Sequence, residues 1–126
     1  MRFATYVYAI VGERDGSAGF AQTPPGLPSA GPTRLLSVAG SLKLVVASVP
    51  LACYAQPIVE KRLTDLRWLA RIAPAHERLV EHFARAQPTL PMKLFTLFRS
   101  DHDAVASVAP RRRHWQSLLR RVTGRR

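Results

Sequence analysis

Two prolines give one strongly apolar stretch of the chain a definite start. Pro88 and Pro91 cannot continue a helix and push the residues before them into extended conformations. They stand at the head of Leu90-Pro91-Met92-Lys93-Leu94-Phe95-Thr96-Leu97-Phe98. This arrangement predicts a buried strand over 90–98. Met92, Leu94, Thr96 and Phe98 share one face of such a strand, and Lys93, Phe95 and Leu97 the other. Both faces are largely apolar, so the strand has to be covered on two sides. The plain reading is a central core strand with no chemistry on it.

A chain of 126 residues has room for one modest core and is expected to be a single domain over 1–126. With 47% apolar and 21% charged residues it is expected to fold rather than stay disordered. Charge is spread unevenly. Seven arginines and no acid fall in 110–126, so the first 109 residues hold only +4 of the formal +11. Such a basic end suits nucleic acid, an anionic membrane or an acidic protein, and charge alone does not choose among them. Cys53 is the single cysteine, which excludes an intrachain disulfide and a cysteine-rich zinc site and suggests a reducing compartment. The longest apolar run, 38–53, is about sixteen residues long, is interrupted by Lys43 and Pro50, and falls short of a membrane span. The expectation is a soluble, cytoplasmic protein.

Along the chain, 3–11 is rich in β-branched and aromatic residues and closes at Gly12, predicting a strand. Residues 13–32 hold four prolines and several glycines without periodicity, predicting a long, flexible surface loop. Two apolar segments, 33–38 and 42–49, flank Ala39-Gly40-Ser41, a hairpin whose turn uses Gly40 at positive φ. From 58 to 87, Leu63, Leu66, Leu69, Ile72, Leu79, Val80 and Phe83 fall at helical spacing, with a kink or break expected at Pro74. Ser100-Asp101-His102-Asp103 reads as a helix start with Ser100 as N-cap. An arginine-rich helix is expected over 110–126, kinked or restarted by Pro110, its apolar stripe including Trp115, Leu118, Leu119 and Val122.

Motifs that carry chemistry are absent. There is no glycine-rich phosphate loop followed by lysine, no glycine-flanked nucleophilic serine and no spaced pair of strand-end acids. Asp101 and Asp103 flank His102, but a helix cap accounts for them. His76 and His82 are six residues apart, which points them in different directions around one helix and prevents them from sharing a metal. The plain reading is a solvated or interface-facing pair. No catalytic residue, cofactor site or metal site is assigned. Arg111, Arg112, Arg113, Arg120 and Arg121 form a candidate basic surface that could grip phosphates while Trp115 stacks on a base. The competing reading places Trp115 in the core, in register with Val108, Leu118 and Val122.

Four stretches, in order, carry a family resemblance: Thr5-Tyr6-Val7-Tyr8-Ala9-Ile10-Val11; 42–50; Ala75-His76-Glu77-Arg78-Leu79-Val80-Glu81; and 90–100. Over nearly its whole length the chain resembles the gas vesicle protein F/L family. The resemblance implies an α+β module with a ferredoxin-like antiparallel sheet and helices packed on one face. It also implies a non-enzymatic accessory role in gas vesicle assembly, in the cytoplasm at the gas vesicle, with the hydrophobic shell protein and other accessory proteins as partners. The chain departs from the family in carrying Ala9 where many members have glycine and Leu94-Phe95 where many have Phe-Gly. It also has Pro110 with three arginines where members carry a smooth acidic or mixed helix. Members continue past 123–126 into a second, helix-rich module, so the chain is expected to be an excised domain, a short paralogue or a remnant. For shell binding the expected surface is an exposed sheet face bearing Tyr6, Tyr8, Phe95 and Leu97. The alternative is a small basic module that binds nucleic acid or an anionic surface through its arginine-rich helix.

Overall fold

The computed structural model describes residues 2–12 and 23–123. Strand β1 (Phe3–Gly12) is the centre, antiparallel to β3 (Leu42–Pro50) on one side and to β4 (Thr89–Pro91) and β5 (Leu97–Phe98) on the other. Strand β2 (Arg34–Ala39) pairs with β3 through the expected hairpin, and Gly40 turns it at φ +56°. The order β2-β3-β1-β4 is that of a ferredoxin-like sheet, and the α+β class follows as read from the sequence.

Helices cover both faces rather than the single face expected. Short helices α1 (Leu51–Tyr54) and α2 (Gln56–Arg62) and the long α3 (Leu66–Ala86) pack on the face bearing Tyr6, Tyr8, Val45 and Ala47. Helices α4 (Asp101–Val108) and α5 (Arg112–Thr123) pack on the face bearing Val7, Ile10, Leu44 and Val46. The cause lies in β1 and β3, which are apolar at odd and even positions alike, so neither face can be left to water. A bulge at Tyr8 puts Tyr8 and Ala9 on the same side of the sheet.

The helical segment from 58 to 87 is two helices, not one. The break falls at 63–65, where Asp65 caps α3 by accepting from the Trp68 amide at 3.2 Å. Leu63 and Leu66, counted in the apolar stripe, are therefore exposed at this junction, and the buried stripe is Trp68, Ile72, Leu79 and Phe83. Pro74 lies inside α3 on its exposed side, where water can meet the Ala70 carbonyl that loses its partner. Pro110 sits in a single 3₁₀ turn, Ala109–Arg111, and α5 restarts after it.

The strand expected over 90–98 is interrupted. Residues 92–96 leave the ladder between β4 and β5, and Phe95 adopts φ +65°. The Met92 amide donates to Tyr8 O (3.0 Å) and the Val7 amide to Thr96 O (2.9 Å), so the excursion is held at both ends by β1. Alternation fails with it: neighbours Leu94 and Phe95 both pack on the α3 side, while Met92 and Phe98 pack on the other. Of the loop expected over 13–32, residues 13–22 lie outside the described part. Residues 23–32 are bound to the fold. Leu27 is buried and its amide donates to Tyr8 Oη (3.1 Å), the Gly31 amide donates to Ser48 O (2.8 Å), and Tyr54 Oη donates to Pro28 O (2.7 Å). Gly26 is needed there, since a Cβ would stand 2.6 Å from Tyr8 Oη.

Candidate functional site

Tyr6 and Tyr8, expected on an exposed face, are both 0% accessible. Alternation along β1 does set them on one face with ring centroids 4.9 Å apart, but α3 covers that face. Burial pushes both phenols above their ordinary value of 10.0, so they act as neutral hydrogen-bonding groups. Tyr6 belongs to a chain of bonds that fixes the 92–96 excursion. His76 Nε2 lies 2.9 Å from Met92 O, and a carbonyl can only accept, so Nε2 carries the proton. Nδ1 then accepts from the Tyr6 hydroxyl at 2.9 Å, and Tyr6 Oη accepts from the Phe95 amide at 3.1 Å. His76, expected to be solvated or interface-facing, is thus a buried positioning group within the fold. Burial lowers its pKa below 6.5, which favours the neutral ring this geometry requires.

Phe95 and Leu97 are half-buried and line an open groove of about 570 Å³ between the start of β1, the α1–α2 corner and β5. Phe3, Leu51 and Val59 add apolar wall, and Arg2 and Arg99 supply its charge. Phe3 is 51% exposed. Behind the groove an aromatic stack supports Phe95: its ring lies parallel to Trp68 (5.4 Å, 2°), Trp68 meets Tyr54 at 6.4 Å, and the Arg62 guanidinium sits 5.6 Å from the Trp68 centroid. Burial pushes the Tyr54 hydroxyl up to about 12 and keeps it a donor to Pro28. The wall is largely apolar and backed by stacked rings, and it offers shape rather than acid–base chemistry.

Arg111, Arg112, Arg113, Arg120 and Arg121 are all exposed. Trp115 is half-buried against the α4–α5 core, and the Arg111 guanidinium lies 5.5 Å from its ring centroid. It packs rather than presenting a free stacking platform. Ser100 caps α4 as expected, accepting from the Asp103 amide (3.1 Å). Asp101 does more than complement the helix dipole: it accepts from Arg34 at 2.6 and 2.9 Å and from Thr5 Oγ1 at 2.7 Å, joining α4 to β2 and β1. These partners hold its carboxyl below 3.8. Among the described residues, no group of three or more His, Cys, Asp and Glu could hold a metal, and no helix is long and apolar enough to cross a membrane.

The family described as Gas vesicle synthesis protein GvpL/GvpF matches residues 4–126, nearly the whole chain. The chain belongs to this family. It is similar to gas vesicle protein L of Streptomyces sp. (strain CB03234), with 31% identity over 122 residues that make up 95% of this chain and 44% of that protein. The chain therefore spans less than half the length of this curated relative. No solved structure matches it. Membership ties the fold to gas vesicles, and the groove is a largely apolar concave surface that the described fold offers to a partner.

Proposed function

We propose that this GvpL/GvpF chain is a non-enzymatic accessory protein of gas vesicle assembly, at the gas vesicle in the cytoplasm. It engages the hydrophobic shell protein through the groove walled by Phe3, Phe95 and Leu97. The observation that carries this reading is an open, largely apolar groove backed by stacked aromatic rings in a chain of a gas vesicle family. A shell subunit that is apolar before it polymerises has side chains to bury, and a preformed groove of this size accepts them with little ordering cost. The partner surface is narrower than the sequence suggested: Phe95 and Leu97 remain in it, Phe3 joins, and Tyr6 and Tyr8 support it from the core.

Phe3→Asp and Leu97→Asp, tested separately by pull-down of the major shell protein, are expected to cut its recovery about tenfold, the loss of one good apolar anchor. Phe3 is half-exposed, so its variant should keep the wild-type circular dichroism spectrum. Undiminished recovery with both variants would overturn the groove as the binding surface.

A further inference from the structure

A second surface stands apart from the groove, and its chemistry is different. Helix α5 turns Leu119 and Trp115 toward the sheet, so these two members of its apolar stripe are taken up by the fold. Its outer side carries arginine and no lysine, and Asp103 is the last acid in the sequence. Among the described residues none of Arg111, Arg112, Arg113, Arg120 and Arg121 forms an ion pair. Arg113 and Arg120 are seven residues apart, nearly superposed around the helix axis and about 10 Å apart along it.

We infer that the Arg113–Arg120 ridge of α5 is a docking surface for an acidic helix of a partner protein, one whose carboxylates recur every seven residues along one face. Several features select this occupant. A membrane-surface helix needs a broad apolar face to insert, and the two largest contributions to that of α5, Leu119 and Trp115, are turned into its own core. Single-stranded nucleic acid needs exposed rings to stack on, whereas Trp115 is packed against the core and neighboured by Arg111. A second copy of this chain would bring another +11 of formal charge to the contact. Guanidinium groups bind carboxylates in a planar two-bond fork, which makes arginine at fixed spacing selective in a way that lysine is not. The inference does not rest on the groove reading, because α5 lies on the opposite face of the sheet.

The test measures binding of the full chain to two synthetic, helix-stabilised peptides of equal charge, by fluorescence anisotropy at low and moderate salt. One has glutamates on a single face at seven-residue spacing; the other has the same glutamates scattered around the helix. A 20-base-pair DNA duplex and phosphatidylserine vesicles are run in parallel. The one-face peptide is expected to bind several-fold more tightly than the scattered one. The Arg113→Glu, Arg120→Glu double variant should lose about tenfold of that affinity, from two ion pairs replaced by repulsion. Arg113→Lys with Arg120→Lys, which keeps the charge and removes the fork, should erase the preference between the peptides. Equal binding of both peptides, or tighter binding to duplex or vesicles than to the one-face peptide, would overturn the inference.

Discussion

Phe95 is where the local and the tertiary demands on this chain disagree most. A side chain at φ +65° crowds its own backbone by about 1 kcal/mol, and only glycine escapes that cost. The position is held by the Tyr6 hydroxyl on its amide and by the Trp68 ring against its own. Glycine would suit this backbone better than phenylalanine does, and the ring adds groove wall in return. Phe95→Gly is therefore expected to be more stable than Phe95→Ala by about 1 kcal/mol in urea unfolding, the reverse of the usual order. Alanine equal to or better than glycine would show that the left-handed conformation is not populated. His76 gives a second prediction. Its folded pKa lies below 6.5, so between the two values the unfolded chain binds more protons than the folded one. The stability its neutral state contributes is whole above pH 6.5 and is lost as pH falls below it. The urea midpoint should drop between pH 7 and pH 5, and His76→Gln, less stable at pH 7, should flatten that drop. A His76→Gln profile as steep as the wild type would place the effect elsewhere.

At the scale of elements, the Arg34–Asp101 clamp joins β2 to α4 with Thr5 of β1 as a third partner. Both partners are partly exposed, with side-chain accessibilities of 36% and 43%, so water discounts the bond. Asp101→Asn should cost about 1 kcal/mol at neutral pH. The folded carboxyl titrates below 3.8, so its contribution is complete above that value and disappears as pH falls through the depressed one. The wild type and the variant should therefore converge in acid, and a constant gap would contradict the role given to the charge. What was legible in the sequence was local. The Gly40 hairpin, the Ser100 cap, strand β1 and the apolar stripe of α3 each follow from residues within a few positions of one another. What was hidden was set by partners far along the chain: His76 meets Tyr6 across 70 positions, Arg34 meets Asp101 across 67, and Phe95 meets Tyr6 across 89. The split of 90–98 belongs to this second class, because two short strands and an excursion have the same composition as one strand. The groove was half legible: Phe95 and Leu97 stood out as apolar and outward-facing, but the burial of Tyr6 and Tyr8 depended on where α3 came to rest.

As a whole molecule the fold is a sheet between two helical layers, with an apolar groove at one end and an arginine ridge on the opposite layer. That division suits an accessory protein that holds an apolar subunit on one side and an acidic partner on the other. The two contacts differ in their response to salt, since apolar burial changes little with ionic strength and arginine–carboxylate pairing weakens steeply. The contact that defines the proposed function is that of the groove with the gas vesicle shell protein. Its most direct test is co-purification of the nuclease-treated chain with the major shell protein at low and at high salt. The shell protein is expected to stay with the wild-type chain at high salt and to be lost with Phe3→Asp. Release of the shell protein by salt alone, with nucleic acid recovered when nuclease is omitted, would contradict it and make the arginine helix the principal binding surface.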